Sequence, residues 1–200
     1  MAYFPMFIDL KEKNCFIVGG GLVAYRKAKT LTLYGANLIV IAPSFIEELK
    51  EMGSRGEAIL IKKEISIKDK EDFLLTIKKE EIALVIGATN QKEVNEAIGQ
   101  WCQEEKIPVN VVDNQELCTF LFPAVVTKDK VSIGITTSGT SPSASAYLRE
   151  RIEEIVDEEF LTFVEEMGTY RTWLKAHVES EEERRACLRK KVEEWKQGRK

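Results

Sequence analysis

Three consecutive glycines stand near the start of the chain, between an apolar run and a stretch of helical character. In "CFIVGGGLVAYRKAKTL", Gly19-Gly20-Gly21 and Ala24 give the spacing G-x-G-x-x-A of a dinucleotide-binding loop. In such a loop Gly19 makes the tight turn, Gly21 lets the backbone approach a pyrophosphate, and Ala24 lets the helix pack closely. The first N–H groups of that helix then attract the phosphates. The spacing favours a dinucleotide site, with a plain strand-to-helix turn as the structural alternative.

Small and hydroxyl-bearing residues end two later apolar runs. Ala42-Pro43-Ser44 stands where dinucleotide-binding proteins usually carry an acidic residue for the ribose 2′-hydroxyl. Ser44 offers a hydroxyl and a backbone group to the ribose, and no arginine is present there to hold a 2′-phosphate, which mildly favours NAD over NADP. Further on, "GATN" places Ala88 and Thr89 where they would line the cofactor cleft, although Thr89 or Asn90 could instead cap the next helix.

Two further stretches carry groups suited to chemistry. Asp113 ends "NVVD" at the same predicted sheet edge as the glycine loop, where a carboxylate can act as a general base or bind a metal. A purely structural aspartate at a strand end is an equal alternative. "TTSGTSP" concentrates hydroxyl groups before a helix that begins at Pro142, and capping that helix needs Ser141 alone. The additional hydroxyls favour an anion site formed by Thr136, Thr137, Ser138, Gly139, Thr140 and Ser141.

Short apolar, β-branched runs must position these residues. They predict strands at 15–18, 38–41, 58–62, 83–89 and 108–112. Three helices are predicted. The first covers 22–34 and ends at Gly35 as a left-handed cap, the second is short and opens with a capping box at Ser44–Glu47, and the third covers 91–105. This alternation indicates an α/β fold, a Rossmann-like parallel sheet with helices on both faces.

The pattern changes after the fifth predicted strand. Residues 119–139 contain two β-rich runs around a "KDK" turn, which predicts a hairpin. From Pro142 the chain is predicted to be helical to its end, with one apolar stripe from Ile152 to Met167 and a solvated face of mixed charge. The predicted organisation is a Rossmann domain at 1–113, a β-rich segment at 114–145 and a helical domain at 146–200.

Composition excludes several classes of function. The net charge of −4 and the lack of a basic block argue against a nucleic-acid partner. No apolar run reaches the roughly 18 residues of a membrane span, and the first residues do not resemble a signal peptide. The four scattered cysteines fit a cytoplasmic protein with reduced thiols. With His177 as the sole histidine, a zinc or iron site made of protein ligands is not expected.

Several polar residues on the predicted helices invite catalytic interpretations that their positions do not support. Tyr25-x-x-x-Lys29 has the spacing of the tyrosine–lysine pair of short-chain dehydrogenases, but that pair belongs on a later helix. We therefore expect Arg26, Lys27 and Lys29 to face solvent. His177 stands among helical charges, and we expect it at the surface or in packing contacts.

Several stretches, in this order, together resemble one known family. They are "FPMFIDLKEKNCFIVGGGLVAYRKAKTL", "GATN", "VNVVDNQELCTFLFPAVV" and "ITTSGTSPSASAYLRERIE", from residue 4 to about residue 153. The chain resembles the precorrin-2 dehydrogenase/sirohydrochlorin ferrochelatase family, the dehydrogenase module of siroheme synthases. Ordered motifs at consistent spacing are far more specific than a glycine loop alone.

The resemblance implies an activity and an assembly. NAD would take a hydride from precorrin-2 to give sirohydrochlorin, and in some members Fe²⁺ or Co²⁺ is then inserted. It implies a homodimer in which residues 114–145 form the dimerisation region. The methyltransferase domain that is fused in some siroheme synthases is not expected here, so a separate enzyme would supply precorrin-2.

The resemblance also assigns roles to residues. Asp113 matches an aspartate proposed to act as general base and in chelation, and Thr137 matches a serine that is phosphorylated in some relatives. The positions that match dinucleotide contacts are Leu22, Val23, Pro43 and Ser44. The pyrrole nitrogens of the substrate bind the metal, so the protein needs no metal ligands of its own. A Rossmann module that senses NAD(H) without catalysis is the alternative function. Asp113 at the sheet edge and the hydroxyl loop, formed by Thr136–Ser141, favour the enzyme.

Overall fold

The computed structural model describes residues 3–78 and 82–198, which include every candidate site residue. The chain forms two compact units, Met1–Phe122 and Pro123–Lys200. The division into three domains at 113/114 and 145/146 stays a prediction. Among the described helices, none is long and apolar enough to cross a membrane.

The first unit alternates strands and helices around one parallel sheet. Its elements are β1 (Asn14–Val18), α1 (Leu22–Thr32), β2 (Asn37–Ala42), α2 (Glu47–Ser54), β3 (Ala58–Lys62), α3 (Lys70–Lys78), β4 (Ile82–Gly87), α4 (Lys92–Glu104), β5 (Val109–Val111) and a 3-10 helix (Gln115–Leu117). The strand order is β3-β2-β1-β4-β5, and every pairing is parallel. The order reverses between β1 and β4, which is where ligands bind in such sheets.

The apolar strands are continuous because both faces of the sheet are covered. Phe16 and Val18 of β1 pack into one buried cluster, and Cys15 and Ile17 pack into the cluster on the opposite face. These alternating directions bury all four side chains almost completely. The predicted Rossmann-like fold is therefore confirmed.

The ends of α1 and α2 show where local signals succeeded and failed. Gly35 follows α1 with φ +70, the predicted left-handed conformation. The predicted capping box at Ser44–Glu47 is wrong, because α2 begins at Glu47 after Ile46, whose side chain cannot cap a helix. The backbone N–H of Ile46 instead donates to the Gly20 carbonyl at 2.9 Å. The glycine loop, rather than a side-chain cap, thus fixes the start of α2.

The second unit contains an antiparallel hairpin and three helices. Its elements are β6 (Ala124–Lys128), β7 (Val131–Ile135), α5 (Pro142–Ile155), α6 (Glu158–His177) and α7 (Glu181–Gly198). The hairpin is confirmed, and so is the helical character of the chain from Pro142 as far as Gly198. The last two residues of the predicted helical stretch, 199–200, lie outside the described residues. The single stripe from Ile152 to Met167 is wrong, because α5 ends at Ile155 and Asp157 caps α6 by accepting from the Phe160 N–H.

The start of α5 rests on the predicted cap. Ser141 has extended backbone, its hydroxyl oxygen accepts from the Ala144 N–H at 3.2 Å, and Pro142 is the first helical residue. The hydroxyl satisfies one of the N–H groups that a helix start otherwise leaves without a partner.

Ser141→Ala removes this cap and should lower the free energy of unfolding by about 1 kcal/mol. Urea unfolding followed by circular dichroism measures the change. Ser143→Ala is the matched control, because Ser143 is exposed on the same helix and is not its cap. Equal stability of the two variants would contradict the capping role of Ser141.

Candidate functional site

The first glycine of the loop is held between two strands. Gly19 has φ +140, in the region that favours glycine, and its N–H donates to the Ile41 carbonyl of β2 at 2.9 Å. A Cβ atom at Gly19 would lie 2.2 Å from the carbonyl oxygen of Ala88, which follows β4. Only glycine allows the loop to pass this closely between the ends of β2 and β4.

The middle glycine is required as well, which the spacing G-x-G-x-x-A does not reveal. A Cβ atom at Gly20 would lie 1.9 Å from the Ser44 carbonyl oxygen and 2.9 Å from the Ala42 Cβ. Pro43 and Ser44 are exposed beside the loop. The structure therefore brings the predicted ribose-side residues against the glycine loop through backbone contact.

The third glycine opens the start of α1. Gly21 is the N-cap of α1 without a side-chain cap bond, and a Cβ atom there would meet nothing within 4 Å. Leu22 and Val23 follow in the first turn and are 49% and 43% exposed, and that turn contains no acidic residue. N–H groups at an uncapped, accessible helix start form a site for a phosphate group. These features fit the pyrophosphate of a dinucleotide.

The turn after β4 is organised by a buried asparagine. The Asn95 side chain accepts from the Thr89 N–H at 2.9 Å and donates to the Thr89 carbonyl at 3.0 Å. The Thr89 hydroxyl lies 2.8 Å from the same Asn95 oxygen, and the Ala88 N–H donates to the Val18 carbonyl at 2.8 Å. Neither Thr89 nor Asn90 caps α4, whose N-cap is Gln91. Asn95 was not singled out from the sequence, although it is the one amide side chain on the apolar face of α4.

Asp113 lies in the turn that follows β5. It is exposed and has φ +60, a conformation that aspartate tolerates better than most residues. The preceding Val112 N–H donates to the Gly87 carbonyl of β4 at 2.9 Å. In the described parts of the chain, the Asp113 carboxylate has no hydrogen bond or ion pair. Since β1, β4 and β5 are neighbours, Asp113 follows a strand about 10 Å from the one that leads into the glycine loop.

Buried groups beneath Asp113 hold the chain that follows it. The Asn110 side chain donates to the Phe120 carbonyl at 3.2 Å, and the Val111 N–H lies 3.1 Å from the Cys118 sulfur. Burial raises the pKa of the Cys118 thiol, so it is neutral at physiological pH. Asn110 and Cys118 are therefore structural supports of the edge that carries Asp113.

The hydroxyl loop lies in the second unit and uses several of its hydroxyls internally. The Thr137 hydroxyl accepts from the Ser141 N–H at 3.0 Å and lies 3.1 Å from the Ser145 hydroxyl. The Thr136 hydroxyl accepts from the Ser138 N–H at 3.0 Å. Thr140 and Gly139 are exposed at the tip, where Gly139 has φ +79. The surplus of hydroxyls noted in the sequence is thus partly explained by the loop's own backbone.

The prediction that Lys27 faces solvent is wrong. Lys27 is half-buried on α1, and its Nζ lies 4.2 Å from the centroid of the Phe122 ring. Burial lowers the pKa of Lys27 to about 8. Arg26 and Lys29 on the same helix are exposed. The position of Lys27 on its helix could not show that it is half-buried, because the ring that covers it comes from a segment almost a hundred residues away.

Within residues 3–78 and 82–198, no group of three or more His, Cys, Asp or Glu side chains is placed to hold a metal ion. His177 is exposed, stacks on Trp173 with ring centroids 4.6 Å apart, and has its Nδ1 2.8 Å from the Trp173 carbonyl oxygen. Its contacts are those of a surface packing residue.

Comparison with known proteins defines the class of this site. The putative NAD(P)-binding family matches residues 6–124, which include the glycine loop, the turn after β4 and Asp113. The chain therefore belongs to the putative NAD(P)-binding family. A nicotinamide dinucleotide is the ligand class that the open start of α1 fits.

Individual proteins that are similar to this chain include several siroheme synthases. The siroheme synthase of Nitrosomonas europaea is 32% identical over 185 residues, which cover 92% of this chain and 37% of that protein. The siroheme synthase of Methylococcus capsulatus is 38% identical over 162 residues, which cover 81% of this chain and 32% of that protein. The chain thus spans about a third of the length of the curated relatives it matches.

A solved structure shares the fold. SirC, a precorrin-2 dehydrogenase, superposes with a TM-score of 0.71 at 23% identity, covering 94% of this chain and 88% of that one. The resemblance predicted from the ordered motifs is confirmed by these relatives and by this shared fold.

Gly21→Asp should abolish dinucleotide binding without unfolding the protein. The new side chain enters open space, and aspartate is a favourable N-cap for α1, but its charge would repel a pyrophosphate. Calorimetric titration with NAD, combined with thermal unfolding, separates binding from stability. Gly21→Ala is the control for the added Cβ alone. An unchanged NAD affinity in Gly21→Asp would contradict the assignment of the loop.

Proposed function

We propose that this protein catalyses the NAD-dependent dehydrogenation of precorrin-2 to sirohydrochlorin. The observation that carries the proposal is the pairing of an open, uncapped α1 start with an exposed, unpaired Asp113 on the same sheet edge of the described structure. The similarity to siroheme synthases and to the fold of SirC supports the choice of substrate.

The glycine loop and its neighbours would hold the cofactor. The N–H groups at Gly21, Leu22 and Val23 would bind the pyrophosphate, and Pro43 and Ser44 would border the adenosine ribose. Ala88 and Thr89 would line the cleft on the nicotinamide side. When bound, the nicotinamide ring supplies an acceptor for one hydride.

Asp113 would complete the oxidation by accepting a proton. Precorrin-2 loses two hydrogens in becoming sirohydrochlorin, one as a hydride and one as a proton. An exposed carboxylate with no partner within residues 3–78 and 82–198 is accessible to a substrate and able to take up that proton. The same carboxylate could assist insertion of Fe²⁺ or Co²⁺ as a second reaction, with the pyrrole nitrogens as the metal ligands.

Other parts of the proposal concern recognition and assembly. The exposed tip of the hydroxyl loop, Gly139 and Thr140, would contact carboxylates of the substrate, supported by the bonds of Thr137 and Thr136. We further propose a cytoplasmic homodimer in which the β6–β7 hairpin region contributes to the interface. The four cysteines are free thiols, in keeping with a reducing compartment.

Anaerobic incubation of the protein with precorrin-2 and NAD tests the activity. We expect NADH and sirohydrochlorin to form in equal amounts, and each product is measured by its own absorption band. NAD binding by the folded protein without formation of either product would instead favour a module that senses NAD(H).

Asp113→Asn should lower the rate of dehydrogenation by about 10²- to 10⁴-fold while NAD affinity stays the same. Asparagine keeps the shape and tolerates the left-handed backbone of this turn, so only the base is lost. Asp129→Asn is the matched control, because Asp129 is an exposed aspartate with φ 48 in the β6–β7 turn. Steady-state kinetics of both variants decide the role, and wild-type turnover by Asp113→Asn would remove it.

We propose NAD as the preferred dinucleotide, because no arginine stands at the end of β2 to pair with a 2′-phosphate. Ser44→Arg places such a group beside the glycine loop and should shift the ratio of NAD to NADP affinity toward NADP by at least about tenfold. Ser54→Arg adds the same charge at the far end of α2 and should leave the ratio unchanged. Wild-type protein that binds NADP more tightly than NAD would contradict the preference.

A further inference from the structure

Lys27 is a half-buried cation for which the fold provides no anion. Across residues 3–78 and 82–198 its ammonium group forms no ion pair or hydrogen bond, and its contact is the face of the Phe122 ring at 4.2 Å. Buried charges are normally paired, because removal from water is costly. A ring face attracts a cation but does not neutralise it.

Lys27 lies on the helix that follows the glycine loop and contacts the segment that follows Asp113 in the chain. It is six residues beyond Gly21 on α1, and the Cα–Cβ bonds of a helix tilt toward its N-terminus, which here is the glycine loop. Its flank of α1 meets the segment that contains Cys118 and Phe122. The Cys118 sulfur in turn lies 3.3 Å from the Asn114 carbonyl oxygen, next to Asp113.

The electrostatics show what kind of ligand would favour this position. Burial lowers the pKa of Lys27 to about 8. Burial raises the pKa of the neighbouring Cys118 thiol, which therefore carries no charge near neutral pH. The other basic groups of this part of α1, Arg26 and Lys29, are exposed. An anion beside the ammonium would therefore recover the energy that desolvation costs.

We propose that Lys27 binds a carboxylate of the substrate, with Phe122 forming the apolar floor beneath the ammonium. This inference rests on the proposed function, which supplies a polycarboxylate substrate. Lys27 is a positioning residue in this account: it fixes one edge of the tetrapyrrole relative to Asp113 and takes no part in the proton transfer. The alternative is that its side chain only packs on the ring, with its charge unused.

Binding of sirohydrochlorin, the reaction product, measured by fluorescence titration in the presence of NAD, tests the proposal without turnover. Lys27→Met keeps an unbranched apolar side chain one atom shorter than that of lysine but removes the charge, and should weaken sirohydrochlorin binding by about tenfold or more. Lys29→Met is the matched control on the exposed side of α1 and should bind as the wild type does. NAD affinity, which depends on the start of the same helix, should be equal in all these proteins and so verifies that the variants are folded.

The pH dependence provides a readout that simple packing would not change. The ammonium must be protonated to bind a carboxylate, so wild-type affinity should fall by about fivefold between pH 8 and pH 9 as free Lys27 loses its proton. The substrate carboxylates stay ionised throughout this range. In Lys27→Met this change should disappear, whereas it should persist in Lys29→Met.

The outcomes separate the inference from the proposed function. Wild-type protein and Lys27→Met that bind sirohydrochlorin equally, with the same pH profile, would overturn the role of Lys27 and leave the dehydrogenase proposal standing. Wild-type protein that binds NAD but no sirohydrochlorin would overturn both. If Lys27→Met lost NAD binding, the same titration of Lys27→Gln would be decisive, with unchanged sirohydrochlorin affinity counting against the proposal.

Discussion

The close backbone packing of the glycine loop is the constraint on which the rest of this site depends. Gly19 lies against the Ala88 carbonyl after β4, and Gly20 lies against the Ser44 carbonyl after β2. These two contacts draw the ends of the central strands together and leave Gly21 facing open space at the start of α1. The site is thus formed by the absence of side chains, and any Cβ at the first two positions would force the strand ends apart.

Sequence patterns predicted the fold well because its signals are local and repeated. Each buried strand is a short β-branched run, Gly35 supplies a left-handed cap, and Ser141 with Pro142 marks the start of α5. The capping box at Ser44 failed because a tertiary hydrogen bond, from Ile46 to Gly20, determines where α2 begins. The break between α5 and α6 was missed because apolar spacing continues across it, while the Asp157 cap interrupts the helix.

The sequence predicts the glycine loop and Asp113 of the candidate site, but not the side chains that hold them in place. The glycine spacing and the carboxylate of Asp113 stand at strand ends, where chain order alone indicates a shared edge. The side chains of Asn95 and Asn110 bond to backbone groups six and ten residues away, and residue types do not specify these partners. The environment of Lys27 depends on Phe122, from a segment far away in the chain. The role of Gly20 likewise became visible only from its distance to Ser44.

A crystal structure of the protein with NAD would show whether the glycine loop presents the cofactor to the edge that carries Asp113. We expect pyrophosphate oxygens within about 3 Å of the N–H groups at the start of α1, and the nicotinamide ring beside β4 on the side of Asp113. A pyrophosphate bound away from Gly21, or a nicotinamide ring directed away from the ends of β4 and β5, would contradict it.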